Sequence, residues 1–330
     1  MKKKYAPVAL FVYNRPIHAQ MVLDKLTNCN GFRDTDVYIF SDGSKNSRDV
    51  ASVEETRQRI KVFASAHGNI RVIESEYNKG LADSIVSGVD YILGRSEQII
   101  ILEDDCVPSS DFLDFMLKCL IKYKDENRIM SLSGYALPIR LPPDYPYDIY
   151  YTYRSTSWGW GTWGRAWKYF NRSGNLLDEI KKSRTLKEKI NRIGADLIPM
   201  LEMHAKGQID SWSVFWSIAI IKNNGLCVNP TKSRIENIGF DGTGVHCGKS
   251  GKFKVGISSS DKEIVFPEEV KVENFIIRQY GKFFGSGIKG KVTNFIRRAP
   301  CLFVMLKRLL LLFGTNRRWN DGYSNDKHHV

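Results

Sequence analysis

Three adjacent carboxylates, Glu103-Asp104-Asp105, directly follow the apolar run Ile99-Ile100-Ile101-Leu102. A buried strand ending in three acids delivers like charges to a sheet edge, which is costly unless a cation or hydrogen-bond donors wait there. Hard oxygen ligands favour Mg2+ or Mn2+, which take one or two protein carboxylates and complete their sphere with water and phosphate oxygens. The implied chemistry is cation-assisted handling of a diphosphate. A plainer role is open too, with Asp104 or Asp105 capping a helix that starts near Pro108-Ser109; a cap uses one carboxylate and leaves the others unexplained.

The elements that must position this cluster are legible upstream. Val8–Val12, Val37–Phe40, Ile70–Ile73 and Gln98–Leu102 read as buried strands, and Ile17–Leu26, Val50–Ala66 and Leu81–Leu93 between them have helical spacing and length. Strands linked by helical crossovers imply an α/β fold with a mostly parallel central sheet flanked by helices. Such sheets bind ligands beyond the carboxyl ends of their strands. The residues found there are Asn14-Arg15-Pro16, Asp42-Gly43, Asn78-Lys79-Gly80 and the acidic triplet. Asp42-Gly43 alone is what any turn can carry; four polar loops in register are harder to ascribe to turning alone.

In their order and spacing these residues resemble GT-A fold glycosyltransferases, of the N-acetylglucosaminyltransferase I type and the bacterial family 2-like sugar transferases. The resemblance covers about residues 6 to 247 and is strongest up to Asp105. It implies a nucleotide-sugar donor, with UDP favoured, and Mn2+ or Mg2+ as cofactor. Asp105 would be the metal ligand and Asp104 would hold sugar or ribose hydroxyls. Arg15 would meet the nucleotide, since a guanidinium suits phosphate or a base carbonyl. Asp42 would accept from the uracil N–H, and Asn78 and Gly80 would shape the nucleoside wall. Lys79 is either a phosphate contact or a solvated turn residue. His246, between Gly244 and Gly248, matches a late His that reaches the metal or diphosphate in that family.

Transfer with inversion needs a base from another segment, facing the side of the sugar opposite the leaving diphosphate. Asp210 in Asp210-Ser211-Trp212 is the candidate, with capping of the following helix as the competing role. Four Trp fall between Trp158 and Trp167, interleaved with Gly, and resemble the aromatic acceptor wall of the family. Trp158, Trp160, Trp163 and Trp212 are therefore expected to bind acceptor sugar; the alternative is a packed aromatic cluster.

The chain has 330 residues, 42% of them hydrophobic, and a net charge of +13. A mean hydropathy of -0.31 argues against a multi-span membrane protein. Residues 274 to 319 carry ten Lys and Arg and no Asp or Glu, leaving +3 for the rest, so no nucleic-acid surface is expected on the body. The expected division is a catalytic domain over 1–273, with a nucleotide-sugar half to about 135 and an acceptor half from about 136, then a basic amphipathic helical tail over 274–330. Bulky apolar residues mixed with positive charge suit an anionic membrane surface, the alternative being a helix packed on the domain. Val8–Val12 is too short for a secretory signal, and six scattered Cys do not make a disulfide framework, so a cytoplasmic protein at the inner face of the membrane is expected.

Together these features point to transfer of a sugar to a glycan or lipid-linked oligosaccharide in cell-surface polysaccharide or lipopolysaccharide synthesis. Two other functions compete. A sugar-1-phosphate nucleotidyltransferase would want a Gly-rich loop where Tyr13-Asn14-Arg15-Pro16 stands. A non-catalytic, membrane-bound sugar-binding protein on the same frame would have no need of the intact triplet and Asp210.

Overall fold

Strand β1 (Val8–Val12) is buried at all five positions because it lies inside the sheet with a neighbour on each side and layers over both faces. The structure is a computed structural model that describes residues 5–242 and 251–285. Pro16 occupies the first turn of α1 (Pro16–Thr27), where its missing N–H costs nothing. The chain continues through β2 (Val37–Ser41), α2 (Val50–Ser65), β3 (Ile70–Glu74), α3 (Leu81–Leu93) and β4 (Gln98–Glu103). Strands β3, β2, β1 and β4 pair in parallel in that order, so the anticipated sheet and helices form at the anticipated places.

Beyond β4 come β5 (Cys106–Pro108), α4 (Phe112–Lys122), β6 (Ile129–Ser133), β7 (Ile149–Thr152), β8 (Trp160–Trp163) and α5 (Gly164–Trp167). Three helices follow, α6 (Leu176–Lys182), α7 (Arg184–Ile193) and α8 (Leu197–Ala205), then α9 (Ser213–Lys222), β9 (Leu226–Pro230), β10 (Ile235–Asn237) and α10 (Asn274–Phe283). Among the described residues the main sheet has eight strands in the order β3-β2-β1-β4-β8-β6-β9-β7. Because β8 inserts antiparallel between β4 and β6, the two anticipated halves share one sheet.

The Trp-rich segment is this shared strand. Side chains alternate across a strand, so Trp160 and Trp163, three residues apart, enter the cores on opposite faces. Trp160 stacks on Trp212 at 4.8 Å and 22°, with Trp167 and Trp216 beside it. Gly161 between them has no room for more: a Cβ there would stand 3.1 Å from the Ile99 carbonyl oxygen and 2.9 Å from Met116.

The boundary at residue 274 is not where the body ends. Helix α10 buries Ile276, Ile277 and Tyr280, and the Tyr280 hydroxyl meets that of Tyr150 at 3.3 Å, while Arg278 and Lys282 face outward. An apolar stripe every three to four residues docks the helix, so its basic residues form the solvated face of a packed element. The rest of the expected tail, from residue 286, lies outside the described residues. Within the described part, no helix is long and apolar enough to cross a membrane. Cys29, Cys106, Cys119 and Cys227 are buried and unbridged.

Candidate active site

The carboxyl ends of β1, β2 and β4 carry the site. Asp42, one residue past β2, accepts at Oδ1 from the backbone N–H of Gly43 and Lys79, each at 2.9 Å. At Oδ2 it accepts from Gly80 N–H at 2.9 Å and the Asn78 amide at 3.1 Å. Asn78 also donates to the Gly43 carbonyl at 2.7 Å, and Gly80 sits at φ +77, a conformation that favours glycine. Asp42, Asn78 and Gly80 thus form one knot that shapes the loop entering α3. Four bonds from its own loops hold the Asp42 carboxylate in place, and the role expected of it toward a nucleobase N–H stays a proposal.

Asp104 and Asp105 lie in the turn between β4 and β5, 7% and 9% exposed. They do not cap α4, which starts only after β5 and has Asp111 at its N-cap. The Arg15 guanidinium stands 3.0 Å from Asp105 Oδ2 and 3.4 Å from Asp104 Oδ1. It therefore offsets part of the cluster's charge, and the contact with the nucleotide expected of it stays a proposal. One guanidinium is not enough for three acids. Burial, reinforced by the charges of Asp105 and Asp104, pushes the Glu103 carboxyl well above the usual range, with Arg15 opposing. Burial likewise pushes Asp104 up to about 7 against the pull of Arg15.

Residues without a sequence signal complete this corner. Strand β10 pairs with β5 so that Asn237 lies opposite Cys106, and the Asn237 amide donates to Asp105 Oδ1 at 3.3 Å. Ile238 N–H donates to the Asp105 carbonyl at 2.9 Å, and any side chain on Gly239 would collide with Asp105 Oδ2. His18 Nε2 meets Asp241 Oδ2 at 3.2 Å nearby. The chain leaving β10 is thus tied to the carboxylates from Asn237 to Gly239. His246 lies outside the described residues.

Among the described residues no three His, Cys, Asp or Glu side chains make a ready metal site. The donor chemistry still fits a divalent cation with an incomplete protein shell. Asp104 and Asp105 are hard oxygen donors held together, and burial, with repulsion from neighbouring acids second to it, opposes the charged forms of Glu103 and Asp104, a cost that a cation relieves.

Asp210 lies between α8 and α9, and it is no helix cap: the N-cap of α9 is Trp212 and makes no side-chain capping bond. Asp210 Oδ1 accepts from Arg172 Nη2 at 2.7 Å, with His204 Nδ1 3.8 Å away. The other oxygen, Oδ2, is 3.8 Å from where a Cβ on Gly80 would stand. The fold therefore brings Asp210 against the knotted loop, 130 residues earlier in the chain, and leaves its side chain 50% exposed. Arg172 and His204, its partners, escaped the sequence reading because nothing local links them to Asp210.

The acceptor wall expected of the tryptophans is corrected for three of them. Trp160, Trp163 and Trp212 are 0%, 2% and 4% exposed, so a ligand has no ring face to stack on. Trp158 alone of the four is only partly buried, edge-on to Tyr135 at 4.6 Å and Phe240 at 5.5 Å.

Residues 8–140 match the family described as glycosyl transferase family 2, a span that includes the knot and the acidic turn but not Asp210. No curated protein matches the chain. Among solved structures, TarS residues 1–349 of S. aureus are similar over 69% of this chain and 59% of that one, at 12% identity and a TM-score of 0.39. The mannosyltransferase PcManGT from Pyrobaculum calidifontis, in complex with GDP-Man and Mn2+, is similar over 68% and 77%, at 13% identity and a TM-score of 0.35. GalNAc-T7 with UDP, GalNAc and Mn2+ is similar over 70% and 43%, at 10% identity and a TM-score of 0.46. The chain thus spans less than two thirds of the TarS and GalNAc-T7 chains.

Proposed function

We propose, from the GT-A glycosyltransferase fold that this chain carries, that the protein moves a hexosyl or N-acetylhexosaminyl group from a nucleotide-diphosphate donor to a hydroxyl of a glycan or lipid-linked oligosaccharide. The observation that carries the reading is the placement of Asp210 against the Gly80 loop, at the same sheet edge as Asp104 and Asp105. Paired acids suited to a cation and a separate, half-exposed carboxylate support the reading, since sugar transfer asks for both groups.

In this reading the acceptor hydroxyl attacks the anomeric carbon of the donor as the bond to the diphosphate breaks, and its proton passes to Asp210. The configuration inverts, because base and leaving group act on opposite sides. A divalent cation, Mn2+ or Mg2+, when bound, stabilises charge on the departing diphosphate. Asp105 would ligate it, with Asp104 beside it. Arg15, already paired with both acids, would remain near the phosphates and keep the excess charge in check. The Asp42 knot holds the wall against which a nucleoside, UDP by resemblance, is placed. Among the described tryptophans, Trp158 is the one with surface left for an acceptor sugar.

The test is a donor panel. Purified protein incubated with Mn2+ and UDP- or GDP-sugars is expected to release nucleoside diphosphate slowly, with water as acceptor. No release from any donor, combined with no nucleotide binding in titration, would sink the enzyme reading.

The lipid-linked acceptor and a cytoplasmic site at the inner membrane face rest on residues 286–319, which hold eight Lys and Arg and no acid among many long aliphatics. Polybasic attraction to an anionic leaflet is worth about 1 kcal/mol per residue near the surface. The full chain is therefore expected to sediment with anionic liposomes, and a chain ending at 285, which keeps α10, is expected not to. Equal sedimentation of the two would remove the membrane from the proposal, and with it the support for surface-polysaccharide or lipopolysaccharide synthesis.

A further inference from the structure

The carboxylate of Asp210 is held from one side. Arg172 spreads its fork between two acids on separate elements: Nη2 donates to Asp210 Oδ1 at 2.7 Å and Nη1 to Asp83 Oδ1 at 2.5 Å. Asp83 stands in the first turn of α3, three residues past Gly80. The guanidinium is thus a strut between the helix that follows the knotted loop and the segment that carries Asp210. On the same side, His204 Nδ1 lies 3.8 Å from Oδ1, buried and without a hydrogen bond, its ring edge-on to Phe215 at 4.8 Å. Among the described residues Oδ2 has no such neighbour, and it lies 3.8 Å from where a Cβ on Gly80 would stand.

We infer that Arg172 is a positioning residue: by pinning Oδ1 of Asp210 and bracing on Asp83 it fixes the carboxylate plane, so that Oδ2, on the Gly80 side, is the oxygen that takes the acceptor proton. The inference rests on the reading of Asp210 as the base. The physical ground is that a carboxylate with both oxygens free rotates about its terminal torsion, which has no sharp minimum. A charge-assisted bond to one oxygen removes that freedom, and base catalysis depends steeply on such alignment. An ion pair this exposed adds little to folding stability. Its loss should therefore appear in rate and not in unfolding.

The experiment uses the full chain, Mn2+, the donor turned over fastest in the panel, and water as acceptor. Arg172→Ala is expected to lower kcat on the order of 10²-fold, the cost of misplacing a reacting group, with donor KM and the thermal unfolding midpoint nearly unchanged. Added guanidinium should restore part of the lost rate, and Arg172→Lys, which keeps the charge but loses the fork, should fall between Ala and the parent. Combined with Asp210→Asn, Arg172→Ala should cost almost nothing more, because residues that act as a unit are not additive. A kcat equal to the parent's in Arg172→Ala, or a double variant slowed by the product of the two single effects, overturns the inference. An Asp210→Asn single variant at the parental rate overturns the base reading instead, so the two failures are told apart.

Discussion

Asp210→Asn is expected to leave nucleotide binding unchanged and to slow sugar transfer on the order of 10²- to 10⁴-fold, the usual contribution of a general base. The substitution keeps size and shape, and the structure predicts which way the new amide turns. Arg172 donates to Oδ1 at 2.7 Å, so the Asn carbonyl oxygen will face the guanidinium and the NH2 will take the place of Oδ2. The atom beside Gly80 then becomes a donor that cannot accept a proton. Since Asp210 makes no cap bond for α9, the fold should not notice the change. Product formation measured beside nucleotide titration checks the result; a near-normal rate would mean that the base lies elsewhere.

Asp105→Ala is expected to abolish the cation-dependent part of nucleotide binding. Loss of an outer partner of a metal ligand costs roughly 10- to 100-fold in affinity, and loss of a direct carboxylate ligand should exceed that. Two further effects come from the surroundings. Arg15 loses its 3.0 Å partner and turns to Asp104, and the Asn237 amide loses its acceptor, which loosens the start of the 237–241 turn. Asp105→Asn removes the charge at nearly constant size, with its carbonyl oxygen turned to Arg15, and so separates loss of the ligand's charge from loss of its volume. Titration with UDP in Mn2+ and again after chelation reads the effect. Binding that is the same in both conditions and in both variants would take Asp105 out of the cation site.

How much of this was written along the chain differs from residue to residue, for physical reasons. Strands β1 to β4 were legible to within a residue because parallel strands covered on both faces read as unbroken apolar runs, and the helices between them keep a 3.6-residue period. From those runs it followed that Arg15, Asp42, the Asn78–Gly80 turn and the acidic triplet share one edge, and they do. Strands β5 to β8 were harder. They are three to five residues long, and β8 is built of Trp and Gly, whose place depends on which strand lies alongside.

The surroundings of the gathered residues were set by partners that sequence distance conceals. The four donors to Asp42 lie in its own loops, and Arg15 stands between two acids 89 and 90 residues further on, partners that no local pattern announces. Four tryptophans within ten residues suggested a sugar-binding wall, yet strand alternation sends Trp160 and Trp163 into opposite cores. An acid-free stretch from residue 274 read as a tail, although its first ten residues pack as a helix against Tyr150. The sequence by itself thus determined the local elements and the chemical types at the sheet edge, because periodicity and composition are properties of neighbours along the chain. Only the tertiary structure decided that Asp210 meets Gly80, that Arg172 braces it, and which carboxylates remain open, because packing and the pairing of hydrogen bonds join residues 38 to 130 positions apart.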